Sequence, residues 1–387
     1  MTAPAQETTT SQETTTARET AALPDTALPD TAGPATARHA AAGSAYAAAL
    51  AGVPPFDGLR ITGTERPTAT GFAALTLFVT AEEPDGTERR FVVRAAPWDT
   101  RVYPEPRIAE QYRLLRILGR ETGVPVPAVH HCEPSTRLLG GPFLVMDLVP
   151  GRVPPDFPSY HRRGWIAELP PEDRARLWWA TLEAMAEVHR LDARRLGLGF
   201  TAPPEGGPPG TAQQLAHYAR HMGFFGRAGD PVLTEALSWL RTHLPPEPGP
   251  PGLLWGDARL GNVVYGEDLR PSALLDWEMT GLGPAEVDLG WFLWMDRFLS
   301  EGVGGERLAG LPGPEETAER YGELLGRPLA PLPYYEILAG FRFALITSRV
   351  ERLVLAARVM PPGVPLVLHA NATAQLRRAL DRVTGRS

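Results

Sequence analysis

The 387-residue chain contains no lysine; all 38 of its basic residues are arginine. Chemistry that needs a side-chain amine, such as a Schiff base or a lysine clamp on phosphate, is therefore excluded or handed to a guanidinium. A single cysteine, Cys132, rules out an internal disulfide and a cysteine-rich zinc site. No run of about 20 apolar residues is available to span a bilayer. The N-terminus lacks the basic start and apolar core of a secretory signal. Positive charge is not in excess either, since 45 acidic residues give a net charge of −7. That balance gives nucleic acid no electrostatic footprint to meet. These absences predict a cytoplasmic protein that engages neither nucleic acid nor membrane.

What is present divides into three parts. Residues 1–43 are Thr, Ala, Glu and Pro with almost no large apolar side chain, and "LPDTA" occurs twice. Such a segment cannot bury enough surface to offset its ordering entropy, so disorder is expected. Residues 44–147 read as strands around one helix. "GLRITGT", "GFAALTLFVTAEE" and "RRFVVRAAP" alternate as strands, with an Asp85-Gly86 turn joining the last two. "EPRIAEQYRLLRILGRE" has helical period, with Ile108, Tyr112, Leu115 and Leu118 on one side. "PVPAVHHCE" and "PFLVMDLVP" complete the strand set. Residues 148–387 are mainly helical, beginning with "PPEDRARLWWATLEAMAEVHRLD".

The helical part is interrupted by "LLWGDARLGNVVY" (253–265) and "ALLDWE" (273–278). Both read as short apolar strands that end in acids. Phosphoryl transfer from ATP needs a base for the attacking hydroxyl and oxygens that hold Mg²⁺ against the phosphates. It also needs a cation on the phosphates and a carboxylate that steadies the cation. A kinase catalytic loop places its base five residues before a metal-binding Asn. Asp257 and Asn262 have that spacing, and Asp276 follows after a predicted hairpin.

Together, "WGDARLGNVVY…LLDWE…EVDLGWFL" resembles the aminoglycoside phosphotransferase and choline kinase superfamily. The resemblance extends over nearly everything after the tail, through "VPVPAVHHCE", "GGPFLVMDLVPGRVPPD" and "EVHRLD". It is strongest to the branch similar to the kinase-like domain fused to some acyl-CoA dehydrogenases. The resemblance implies an α+β, bilobal protein-kinase-like fold with a small strand-rich N-lobe and a larger helical C-lobe. It implies ATP and Mg²⁺ as cofactors and a small-molecule hydroxyl as acceptor. By position, it makes Asp257 the catalytic base and Asn262 and Asp276 the metal ligands. Asp288 would brace the loop, and Glu278 would be a second partner near the metal. Adenine would dock on the lobe connection at Met146, Asp147 and Val149.

The chain departs from the family pattern at several points. Trp255 stands where most relatives have His, and is expected to pack. The strand that normally carries the phosphate-binding Lys offers only Arg94, a permanent cation with a fork suited to phosphate. Glu110 is the candidate partner for Arg94. Relatives often place that Glu one position later, where this chain has Gln111, and one position turns a helix by about 100°. "TGTERPTATGF" holds Gly63 and Gly71, a loose phosphate loop in which amides near Thr64 or Thr70 could serve.

His217 and His221 are four apart but lack the intervening Glu of the H-E-x-x-H zinc motif. His189 reads as a satisfied helix-end histidine. Trp178, Trp179 and Trp239 read as core. The loop after Gly151 offers Arg152, Arg162 and Arg163 as a rim for an anionic acceptor. Residues 151–250 contain eleven acids and eleven arginines, with no acidic excess for a polycation. The branch resemblance implies a hydroxyacyl-CoA-like acceptor. An aminoglycoside or other natural product, and a non-catalytic nucleotide-binding regulator, remain as alternatives.

Overall fold

A computed structural model describes residues 45–66, 75–96, 100–203, 207–357 and 367–386. The tail, with Thr70 and Gly71 of the expected phosphate loop, lies outside the described residues. A short helix at 45–50 (α1) precedes β1 (Arg60–Glu65), β2 (Leu75–Glu82) and β3 (Glu88–Ala95). The helix α2 (Ile108–Glu121) and the strands β4 (Val129–Glu133) and β5 (Phe143–Asp147) follow. The five strands form one antiparallel sheet in the order β1-β2-β3-β5-β4. The Asp85-Gly86 turn closes β2 on β3, with Gly86 at φ 87° and Asp85 Oδ1 accepting the Thr87 N–H at 2.9 Å.

Beyond the sheet the chain is helical: α3 (Trp165–Glu168), α4 (Pro171–His189), α5 (Thr211–Arg220), α6 (Pro231–Thr242), α7 (Glu286–Leu299), α8 (Pro314–Leu325), α9 (Leu332–Ala357) and α10 (Leu368–Thr384). Local chemistry sets several of their ends. Asp230 caps α6 through the N–H groups of Val232 and Leu233, with Pro231 at the first helical position. Gly326 ends α8 at φ 67°.

Four very short strands are set into this helical part. β6 (Gly252–Leu254) pairs with β9 (Gly281–Gly283), and β7 (Val263–Tyr265) pairs with β8 (Pro271–Leu274). The expected hairpin is thus present as β7–β8. The β6–β9 pair was not anticipated, because "GLG" has no side-chain pattern to read.

The two parts of the chain share a core. One sheet face packs against the N-terminal helix through Phe56, Phe91 and Phe143. The other carries α2, but Leu114, Leu115 and Leu118 of that helix join the large helical core, as does Val102 in the segment before it. Tyr112, expected on the buried side, is only partly buried, whereas Gln111 is 5% exposed. The α2 stripe turns toward the helices rather than toward the sheet alone.

The lobe connection is tied down as well. Gly151 has φ 145°, and a Cβ there would lie 2.5 Å from the Tyr265 carbonyl oxygen. Arg152 and Tyr265 exchange two backbone bonds of 2.9 Å. Gly151→Ala should therefore cost about 2–3 kcal/mol, from strain and clash together. A urea midpoint equal to that of the parent protein would contradict this close approach.

Candidate active site

β6 delivers the chain to Trp255, Gly256 and Asp257. Gly256 sits at φ 97°, and a Cβ there would be 2.2 Å from the Met279 carbonyl oxygen. Only glycine fits this crossing. The two peptide groups that lead into Gly256 are held by Asp288, from the first turn of α7. Its Oδ2 accepts the Trp255 N–H at 2.7 Å and its Oδ1 the Gly256 N–H at 3.0 Å. His189, at the end of α4, donates Nε2–H to Asp288 at 3.0 Å and takes the Tyr321 hydroxyl on Nδ1 at 2.6 Å. One tautomer satisfies both bonds. All of these groups are buried.

Asp257 then projects with three donors on its carboxylate. Trp291 Nε1–H reaches Oδ1 at 2.8 Å, and Asn262 Nδ2–H reaches Oδ2 at 2.7 Å. Arg259 Nε–H lies 3.1 Å from Oδ2. A second amide contact, from Asn262 to the Asp257 carbonyl at 2.9 Å, closes the five-residue loop on itself. Arg259 also binds Asp156, from the loop after Gly151. Burial works against the Arg259 charge, but Asp156 and Asp257 outweigh it and raise its pKa.

The segment that carries Asp276 is brought in by the β7–β8 hairpin. The Leu275 N–H donates to the Asn262 carbonyl at 2.8 Å, which places Asp276 beside the loop. Asp276 adopts φ 60°, ψ 65°, a conformation that non-glycine residues rarely hold. Two indoles fix it there: Trp255 donates to the Leu275 carbonyl at 2.7 Å, and Trp277 to that of Leu274 at 2.9 Å. Trp255 is fully buried as expected, but it also makes a bond that the sequence did not reveal.

Arg94, on β3, meets Asp276 at 3.0 Å and Glu278 at 4.0 Å. Glu110, the expected partner of Arg94, is not within ion-pair distance of it. Its helical position faces elsewhere, near Cys132, whose thiol pKa is raised by burial and then by Glu133 and Glu110. The polar α2 residue that shares a cleft with Arg94, Asp276 and Met146 is the neutral Gln111, beside Leu115. Burial, and next to it the Asp276 charge, push the Glu278 carboxyl well above the usual range, against the pull of Arg94.

Asp276 and Glu278 thus crowd two carboxylates together beside the loop that carries Asn262, and a divalent cation would relieve them. Among the described residues no three His, Cys, Asp or Glu side chains form a metal cage. The donor set suits an ion that takes one or two protein oxygens and completes its shell with phosphate and water, as Mg²⁺ does.

At the lobe connection Met146 is buried against the cleft. The Asp147 carboxylate points instead to His130 Nε2 at 2.7 Å. The Asp147 and Leu148 N–H groups are spent on Ala128 and Arg90. Val149, by contrast, makes no backbone bond among those of the described residues. From the loop after Gly151, Asp156 reaches Arg259 on the Asp257 loop. Arg152 stacks on Trp165 instead, 4.4 Å from its ring centre. Ser159, Tyr160 and His161 pin this loop to the end of α7.

Several residues at the site escaped the sequence reading. Trp291 lies one helical turn after Asp288, so the α7 register was the available clue. Arg259 stood inside the motif itself. Arg342, on α9, had no local signal. It is 1% exposed, bonds the Gly256 carbonyl at 3.2 Å, and lies over Trp291 and Tyr218 at 4.8 and 5.0 Å. Tyr103 is also brought close, and its phenol pKa is raised by burial and by Glu278, Tyr218, Asp257 and Asp276.

Asp288→Ala should lower stability by about 3–5 kcal/mol, since two buried N–H groups and His189 lose their acceptor. Asp288→Asn, which retains one acceptor oxygen, should cost less. Denaturant unfolding of both variants reads this order, and equal stabilities would refute the bracing role.

Comparison with known proteins agrees with this geometry. Residues 64–333 match the phosphotransferase enzyme family. Among curated proteins, acyl-CoA dehydrogenase family member 11 of Gallus gallus is 28% identical over 202 residues, 51% of this chain and 24% of that protein. The Homo sapiens protein of the same name is 27% identical over 240 residues, 60% of this chain and 29% of that protein. The chain thus matches only 24–29% of these relatives' length. Among solved structures, a candidate aminoglycoside phosphotransferase from Ralstonia eutropha JMP134 superimposes with a TM-score of 0.62 at 23% identity, covering 87% of this chain and 98% of that one. A thermostable mutant of aminoglycoside phosphotransferase APH(4)-Ia, in ternary complex with AMP-PNP and hygromycin B, gives 0.54 at 14% identity, covering 84% and 95%. The fold is the α+β, two-lobed kinase-like one. The chain belongs to the phosphotransferase enzyme family.

Proposed function

We propose that this small-molecule phosphotransferase moves the γ-phosphoryl group of ATP to a hydroxyl, with Asp257 as the base. One observation carries the reading. Asp257 is held by Trp291, Arg259 and Asn262 on a loop whose neighbouring segment presents Asp276 and Glu278. In this reading Asp257 orients the acceptor hydroxyl and takes its proton, a role typically worth about 10²–10⁴-fold. Asn262 and Asp276 offer oxygens to Mg²⁺, which when bound neutralises charge on the phosphates. Arg94 would meet phosphate oxygens, and Asp276, its present partner, would hold the metal. Met146 backs the adenine, and the Val149 N–H is the donor that the lobe connection has to spare.

A hydroxyacyl-CoA-like acceptor is the finer part of the proposal. The acyl-CoA dehydrogenase family members among the relatives support it. So does the buried arginine next to the base, which suits a polycationic aminoglycoside poorly.

The direct test is to incubate the chain with Mg-ATP and a pool of hydroxyacyl-CoAs, aminoglycosides, macrolides and amino alcohols. Mass spectrometry then reports any compound that gains one phosphoryl group. Asp257→Asn should lose at least about 10²-fold in rate while still binding Mg-AMP-PNP. Normal turnover by that variant would remove Asp257 from its role. Arg94→Ala should raise the KM for ATP, and Arg94→Lys should restore only part of it, because a point charge cannot reproduce the fork. An ATP KM unchanged in Arg94→Ala would remove the phosphate contact.

A further inference from the structure

Arg259 stands between Asp257 and the loop that follows Gly151. Its Nε–H faces both carboxylate oxygens of Asp257, at 3.2 and 3.1 Å, and its Nη1 pairs with Asp156. The third nitrogen, Nη2, has no partner among the described residues, and it is not sealed in the core. The side chain keeps 14% exposure. One arm of the guanidinium that touches Asp257 is therefore open.

The pair with Asp156 is seated closely on the Asp257 loop. A Cβ at Gly261 would lie 2.5 Å from Asp156 Oδ1 and 2.6 Å from Arg259 Nη1. Glycine at this position makes room for the fork and its carboxylate. Burial opposes the charge on Arg259, but Asp156, Asp257 and Asp276 together raise its pKa. The one guanidinium thus feels both Asp257 and the segment that carries Asp276.

The reaction itself says what such a cation can do. An acceptor hydroxyl served by Asp257 would sit within about 2.6–3.2 Å of its carboxylate. The hydroxyl oxygen would then lie about 3–3.5 Å from phosphorus before transfer. Charged phosphoryl oxygens are thereby brought close to a carboxylate, and the repulsion raises the barrier unless a cation is placed between them. Arg94 is engaged with Asp276 and Glu278 instead.

We propose that Arg259 is a second catalytic residue, whose Nη2–H binds an oxygen of the phosphoryl group in transit while Nε–H stays on Asp257 and Asp156 fixes the fork. The phosphorus–oxygen bond to ADP breaks as the bond to the acceptor oxygen forms. The hydroxyl proton goes to Asp257, and Arg259 keeps its own protons throughout. This inference rests on the phosphotransferase reading and adds a residue to it. A planar fork can serve two anions at once in fixed geometry, whereas an ammonium is a point charge.

Binding of Mg-ADP to the full chain, with and without aluminium fluoride, tests the contact. Aluminium fluoride completes a mimic of the phosphoryl group in transit, and such mimics bind more tightly than the ground state. It should tighten Mg-ADP at least tenfold in the parent protein. Arg259→Ala should keep the Mg-ADP affinity and lose most of that gain. The same loss should appear when Arg259→Ala is made in the Asp257→Asn protein, because the contact does not run through Asp257. Gly261→Ala displaces the Asp156–Arg259 pair and keeps both charges, so it serves as the milder variant and should lose at least threefold. A gain that is missing in the parent protein, or that survives Arg259→Ala, would overturn the proposal. So would a loss that vanishes in the Asp257→Asn background, since Arg259 would then act only by positioning Asp257. A parent protein that does not bind Mg-ADP at all would remove the phosphotransferase reading, and this inference with it.

Discussion

The site depends on one buried carboxylate. Asp288 takes the Trp255 and Gly256 N–H groups that lead into the forced glycine turn, and the turn aims Asp257. An isolated carboxylate could not be buried at tolerable cost. Here it receives two backbone donors and an imidazole, and the imidazole is fixed in turn by Tyr321. Four distant elements therefore meet at Asp288: the end of α4, the loop after β6, the start of α7 and the middle of α8. Trp291, one turn further along α7, bonds the carboxylate of Asp257 from the same helix. Asp288 and Asp257 are thus both positioned by one rigid rod.

The absence of lysine is met in three different ways around this point. Arg94 is exposed to two acids and answers them with its fork. Arg259 is shared between Asp156 and Asp257. Arg342 has no acid within ion-pair distance among the described residues, and it leaves two nitrogens without partners. What accommodates its charge is the pair of aromatic faces of Tyr218 and Trp291 and one carbonyl oxygen. Aromatic rings and a carbonyl stabilise a delocalised, weakly hydrated guanidinium better than a compact ammonium.

The sequence disclosed most where side chains repeat or chemistry dictates spacing. The strand alternation, the α4 and α7 helices and the spacing of Asp257, Asn262 and Asp276 could be read in advance from local pattern, whereas the place of Asp288 was implied by the family resemblance. The Arg94 partner could not, because a shift of one residue on α2 turns Glu110 away, and the acids that do meet Arg94 are 182 and 184 positions distant. Arg342 and Tyr103 were invisible for the same reason. Nothing near either residue in sequence marks it, and only the packing of α9 and of the segment before α2 brings them to Asp257. The β6–β9 pair was hidden because its second strand, Gly281–Gly283, is mostly glycine and has no face to display.

Val102 and the α2 leucines have a consequence for how the molecule comes apart. These side chains are contributed by the sheet-bearing part of the chain, yet they are buried among the helices. The Leu274 N–H bonds the Pro125 carbonyl across the same boundary. Opening the sheet part would expose apolar surface in the helical core, and melting the helices would strip α2. The two lobes therefore cannot act as independent foldons. Their backbone amides should exchange with solvent through a shared global opening rather than through two separate ones.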